Sequence, residues 1–220
     1  GGGGGGGAGG GINPLSGGGS TIAKDNSAIA NALNASGSPA QGSWFYNPLD
    51  DSWSFELTGN FAIVTSGNRT AANGYYLVSN SVGSSAWYKF DAAGKMLKGW
   101  QVEQTGVYYL NEDPTSSTFG AMLSGWIMID GIYYYFGNDG RLVVNGTTPD
   151  GYIVDANGAR IGLATNVSAL TGTMGGSLEE ATPLINTINF LQYIQAVRIQ
   201  YLQQQQLQQL QQQQQQATVQ

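Results

Sequence analysis

Trp87-Tyr88-Lys89-Phe90, followed by Gly94, Met96 and Gly99-Trp100, is the first copy of a pattern that recurs. The second is Val107-Tyr108-Tyr109-Leu110 with Gly120, Met122 and Gly125-Trp126. The third is Tyr133-Tyr134-Tyr135-Phe136 with Gly140, Leu142 and Asn145-Gly146. The step from Trp87 to Val107 is 20 residues and from Val107 to Tyr133 is 26. The six extra residues are Pro114 to Phe119, a polar insertion ahead of Gly120. Trp100 to Tyr108 and Trp126 to Tyr134 are both eight residues. Periods of this length mark arrays of stacked units. Each copy has the sequence of a β-hairpin: an aromatic strand, a turn such as Asp91-Ala92-Ala93-Gly94 or Asn138-Asp139-Gly140, and a second short strand ending at Gly-Trp. Asp and Asn favour turns by local side-chain bonding, and Gly takes the positive φ they need. A lone hairpin is marginal in water, whereas stacked hairpins bury their rings on one another. Tyr152 to Gly158 keeps the strand and turn but lacks a following Gly-Trp, as a capping unit should. The expected fold is mainly β: a solenoid of stacked β-hairpin repeats over residues 87–162, with a C-terminal α-helical, Gln-rich segment.

Upstream, residues 42–86 read as an aromatic lead-in. Trp44-Phe45-Tyr46 and Trp53-Ser54-Phe55, separated by Asn47 to Ser52, have the composition of a hairpin. A second hairpin is expected to pair Phe61–Val64 with Tyr75–Val78. Residues 1–41 are a Gly-rich linker with a short helical stretch carrying Ile22, Ile29 and Leu33. Downstream, residues 163–176 have linker composition, and residues 177–220 an amphipathic helix with a Gln-rich tail. Ser177 with Glu180 fits a capping box, and Pro183 suits a first turn if the helix begins nearer Thr182. Leu184, Ile188, Leu191 and Ile194 fall at helical spacing, as do Phe190, Ile194, Val197 and Tyr201. A helix with so wide an apolar face is expected to self-associate, for instance as a coiled coil, or to dock on the β part.

Composition narrows the chemistry. The chain carries 34 Gly, no Cys and no His, with 14 acids against 8 bases for a net charge of -6. Nucleic-acid binders need a basic face, so no nucleic-acid partner is expected. Without His or Cys there is no Ser-His-Asp or Cys-His pair and no thiolate or imidazole metal site. The acidic pairs Asp50-Asp51, Glu112-Asp113 and Glu179-Glu180 sit in turns or at a helix start, where acids are favoured locally. The expectation is no enzyme, no catalytic residue, no cofactor and no metal. No apolar run approaches the roughly 18 residues a membrane span needs. The chain opens on glycines with no visible signal peptide, and reads as a fragment or processed product.

The repeats resemble the cell wall-binding repeats of Gram-positive bacteria, the superfamily of choline-binding modules, glucan-binding repeats and clostridial-toxin repeats. The resemblance is carried by Trp87 to Trp100, Tyr108 to Trp126 and Tyr133 to Gly146, with Gly42 to Phe55 as lead-in and Thr148 to Gly158 as final unit. It implies a β-solenoid in which ligand sits between consecutive hairpins, in a cage of aromatic side chains with a Met or Leu nearby. Physical chemistry agrees: a quaternary ammonium neither donates nor accepts a hydrogen bond and is held by the negative faces of rings. The same faces stack on sugars. Carried over by position, the cage residues are Trp87, Trp100 and Tyr108 with Met122 nearby, and then Trp126, Tyr133 and Tyr134. Val107 and Gly146 stand where the family pattern has rings, Asn145-Gly146 replacing its Gly-Trp. Any single ring has a competing role as core. The implied function is a non-catalytic module binding cell-wall choline, teichoic acid or polysaccharide. It would anchor a secreted protein at the cell surface, with any activity in a parent protein outside this chain. The alternative is a structural or adhesive surface protein that forms a homo-oligomer through its C-terminal helix.

Overall fold

The computed structural model describes residues 39–58, 69–79, 84–164 and 187–218. The expectations for the glycine-rich start, the helix around Ile29, Phe61–Val64, the linker beyond residue 164 and the Ser177 capping box lie outside them. In chain order the elements are β1 (Gly42–Asn47), β2 (Ser52–Leu57), β3 (Gly74–Ser79), β4 (Ser85–Phe90), β5 (Gly99–Glu103), β6 (Gly106–Leu110), β7 (Gly125–Ile129), β8 (Ile132–Phe136), β9 (Gly146–Thr147), β10 (Tyr152–Val154), β11 (Arg160–Leu163) and α1 (Thr187–Thr218). The sheets are the pairs β1-β2, β3-β4, β5-β6 and β7-β8, and the three-stranded β11-β10-β9. The fold is mainly β, of antiparallel hairpins with one C-terminal helix among the described residues, as expected.

The lead-in hairpin pairs as read, with Trp44 opposite Phe55 and Tyr46 opposite Trp53. The phase of the repeats is corrected, whereas the expected partner of Tyr75–Val78, Phe61–Val64, lies outside the described residues. Tyr75–Val78 lies in β3, which pairs with β4 and sets Tyr76 opposite Tyr88 and Leu77 opposite Trp87. The aromatic strand of the first copy is therefore the second strand of a hairpin, not the first. The repeat phase shifts in the same way. Each Gly-Trp strand pairs forward with the next aromatic strand: Trp126 faces Tyr135, Ile127 faces Tyr134 and Met128 faces Tyr133. The aromatic strands meet the residues beyond their Gly turns only through the single bridges Phe90–Met96, Leu110–Met122 and Phe136–Leu142.

Turn chemistry explains the phase. Between β7 and β8 the two-residue loop Asp130-Gly131 has φ values of 50 and 81. Two positive φ values make the primed turn whose twist matches a hairpin. The turn after β4 is different: the Asp91 carboxylate accepts the N–H groups of Ala93 and Lys95, both at 2.9 Å. Gly94, Gly120, Gly140 and Gly158 close these turns at φ 80 to 84, which the repeated glycine makes cheap. Asn145 stands in the slot of Gly99 and Gly125 and keeps a positive φ of 47, a conformation Asn tolerates. The third copy thus loses its ring at Gly146 but keeps its backbone path.

The residue two positions after each turn glycine reaches back one hairpin. The chain divides into two compact units, residues 1–101 with 109–123 and residues 102–108 with 124–220. In the first, the Met96 N–H donates to the Trp53 carbonyl and the Met122 N–H to the Trp87 carbonyl, both at 2.8 Å. In the second, the Leu142 N–H donates to the Val107 carbonyl at 2.7 Å. The first unit is cored by Trp44, Phe55, Leu57, Tyr76, Val78, Tyr88 and Phe90. The Trp44 ring meets Phe55 and Tyr88 edge-on, at 5.0 and 4.9 Å between centroids. The second buries Val107, Tyr134, Phe136, Leu142, Val154 and Phe190.

The helix docks within the second unit, one of the outcomes expected of its apolar face. Phe190 is 1% exposed. Burying a ring this way contributes roughly 1.5–3 kcal/mol. Arg198 Nε lies 3.3 Å from Asp130 Oδ2. Gln is a fair helix former, and the helix runs through the Gln-rich stretch to Thr218. The closing unit is a three-stranded sheet, two strands more than the one strand and turn legible in its sequence.

Candidate functional site

Within the second unit, Trp126 on β7 meets Tyr135 on β8 edge-on, with centroids 5.2 Å apart and planes at 68°. It meets Tyr152 on β10 in the same manner at 5.5 Å. Into this group β11 delivers a cation. The Arg160 guanidinium lies 4.3 Å from the Tyr133 ring centroid, 5.2 Å from Tyr152 and 5.7 Å from Trp126. All three distances are within the roughly 6 Å over which a ring quadrupole attracts a cation. Register sets this up: Arg160 opposes Val154 across a bulge, and Ala159 bridges to Tyr134.

The rim is acidic and ordered. Trp126 Nε1 donates to Asp150 Oδ2 at 2.8 Å, and the buried Thr148 hydroxyl donates to Asp150 Oδ1 at 2.6 Å. These bonds, Thr148 first and then Trp126, hold the Asp150 carboxyl below its usual range, with a further contribution from the charge of Arg160. The donated bond fixes the indole plane, and Thr148 also accepts the Tyr152 N–H. Ring orientation and strand position therefore come from one three-residue clamp.

The residues expected from sequence fall out unequally. Trp126 and Tyr133 come together around Arg160. Tyr134 does not: it is 1% exposed and its hydroxyl is 3.0 Å from that of Tyr193 on α1. Burial, and then this hydrogen bond, push its pKa far above the usual tyrosine value. Neighbouring residues of a strand face opposite sides, so Tyr133 on the cage places Tyr134 in the core. In the first unit, Trp100 meets Tyr109 edge-on at 5.2 Å and 69°, the geometry of Trp126 with Tyr135. Trp87 lies half-buried on β4, and its carbonyl holds the Met122 N–H. Tyr108 belongs to the second unit, where its hydroxyl is 3.1 Å from Thr105 Oγ1. Sequence reasoning missed Asp150, Tyr152 and Arg160. A signal for Arg160 was present: it stands two residues after Gly158, as Met96, Met122 and Leu142 stand two after Gly94, Gly120 and Gly140.

Ring pairs thus recur at one geometry, and one of them is closed around a cation. The family model for the choline-binding repeat matches residues 121–159, the stretch that holds Trp126, Tyr133, Asp150 and Tyr152. This match bears out the resemblance read from the sequence. Similar solved structures include choline binding protein F from Streptococcus pneumoniae in the presence of a peptidoglycan analogue, at 22% identity over 55% of this chain and 44% of that one, TM-score 0.34. A multimodular pneumococcal cell wall endolysin from phage Cp-1, complexed with choline, is 19% identical over 66% of this chain and 41% of that one, TM-score 0.36. The choline binding domain of Spr1274 in Streptococcus pneumoniae is 31% identical over 40% of this chain and 87% of that domain, TM-score 0.27. The chain spans less than half the length of the first two. No curated protein matches it.

Proposed function

We propose that this chain is a non-catalytic wall-binding module, a repeat solenoid that holds a secreted bacterial protein at the cell surface. Its ligand is the choline of teichoic acids or a wall polysaccharide. One observation carries this: the Trp126, Tyr133 and Tyr152 rings already surround a cation, so the repeat builds sites of the size and polarity an ammonium group needs. A cation over rings gains about 0.5–1 kcal/mol at exposed sites and about 2 when desolvated. The binding strength therefore rests on several sites together. The test is retention on choline and polysaccharide columns. The folded chain is expected to be retained on one of them and released by the matching free ligand. The Trp100→Ala/Trp126→Ala double variant, folded by circular dichroism, is expected to pass through. A folded native chain that passes through every wall-derived matrix refutes the proposal.

A second function has an observation of its own. Ile188, Leu191, Ile199, Leu202, Leu207 and Leu210 are exposed on α1, away from the docked Phe190. An assembly role through this helix accounts for them.

A further inference from the structure

The position two residues past the turn glycine packs on the turn that follows: Met96 lies against Gly120 and Leu142 against Gly158. Met96, Met122 and Leu142 fill it with apolar side chains, each bridged to the last residue of the aromatic strand before it. In the closing unit Val154 opposes Arg160 in that same register. A slot that is apolar in the other units here carries a long, charged side chain. Its guanidinium lies over three rings at once. Asp150, fixed on the Trp126 indole, adds a carboxylate whose charge couples to Arg160.

We propose that Arg160 is a tethered occupant of the Trp126–Tyr133–Tyr152 cage, and that a quaternary ammonium enters this cage only by displacing it. The proposal rests on the wall-binding function above and adds which cage is self-occupied and by what. The guanidinium and the ammonium compete for the same ring faces, whose attraction for either is of similar size. Tethering gives the arginine a standing advantage over a free cation, because its local concentration is set by the strand and not by the solution. Arg160 is exposed, on a terminal strand of the three-stranded sheet, so leaving the rings requires a side-chain rotation and no backbone change.

The experiment is a choline chloride titration of the full chain, followed through the Trp126 indole N–H resonance, which the Trp126→Phe variant assigns. Arg160→Met, which installs the residue the repeat uses at this slot, and Arg160→Gln are titrated beside the native chain. Both are expected to reach half-saturation at about tenfold lower choline than the native chain. Arg160→Lys, which keeps the tethered cation, is expected to stay near native. In the native chain the Arg160 side-chain protons are expected to carry ring-current shifts that vanish as choline saturates the site. Equal half-saturation in native, Met and Gln chains overturns the proposal, as does the absence of a Trp126 response in all of them. The column experiment separates the two claims. Native retention with an unchanged Trp126 response overturns the occupant and keeps wall binding. A sharpened response in the Met and Gln chains without native retention supports the occupant and removes wall binding.

Discussion

Asp150 shows how much one side chain organises. It accepts from Thr148, which is buried and also holds the Tyr152 N–H, and from the Trp126 indole, so two of the three cage rings are set through it. Its carboxyl is held below the ordinary 3.8 of an aspartate, chiefly by the Thr148 bond. A depressed carboxyl favours the folded clamp above its ordinary value and gives that contribution up as pH falls through its folded value. The Trp126 indole N–H resonance is therefore expected to titrate with a midpoint below 3.8. A midpoint at or above that value shows that the clamp is not formed. None of this was legible in sequence. Asp150 read only as part of the final unit, Thr148 to Gly158, and a carboxylate that reaches 24 positions back to an indole leaves no local trace. Tyr133 and Tyr134 were half legible: both are aromatic, and only strand parity, fixed by pairing with β7, decides which faces the cage.

Among the elements, the hairpins were readable in kind and misread in phase. Gly-Trp, aromatic triplet and turn glycine were all visible, yet a cyclic pattern does not say which neighbour pairs with which. The discriminating feature is Asp130-Gly131, a primed-turn signal between Ile129 and Ile132 that marks where the chain folds back on itself. The turn glycines carry a separate demand. At Gly158 the φ is +80 and a Cβ would stand 2.8 Å from a Leu142 methyl. Gly158→Ala is thus expected to destabilise the second unit by about 1–3 kcal/mol, from backbone strain and the clash together. Thermal unfolding of the full chain measures it, and a melting temperature equal to native refutes the account. The helix was legible from its spacing, and its docked face includes Phe190 from the pattern read in sequence.

At the scale of the whole molecule, α1 divides its apolar residues between two faces. Phe190 and Tyr193 are turned to the second unit, whereas Leu202 and Leu210 stay about half exposed, at 53% and 55%. Exposed apolar surface on one stripe favours self-association. Light scattering of the full chain is expected to give a multiple of the monomer mass that Leu202→Glu/Leu210→Glu returns to the monomer. A monomeric native chain refutes the assembly role and leaves wall binding untouched. Pattern in the sequence reached the architecture of the units because it is made of repeated local signals. It did not reach the cage, because Trp126, Asp150, Tyr152 and Arg160 come from separate strands and turns and meet only after those strands pair.

The slot two residues past each turn glycine has one more consequence. A wall polymer presents its ligand many times, so hold depends on valency: linked sites raise overall binding by roughly 10²–10⁴ over a single one. Under the proposed function, a Met or Leu in that slot leaves an attachment point open and an Arg closes it. The number of simultaneous attachments, and with it the residence time on the polymer, would be set by the side chain at one slot, with the backbone bonds of the fold unchanged. Changing grip by one such substitution requires neither adding nor deleting a repeat.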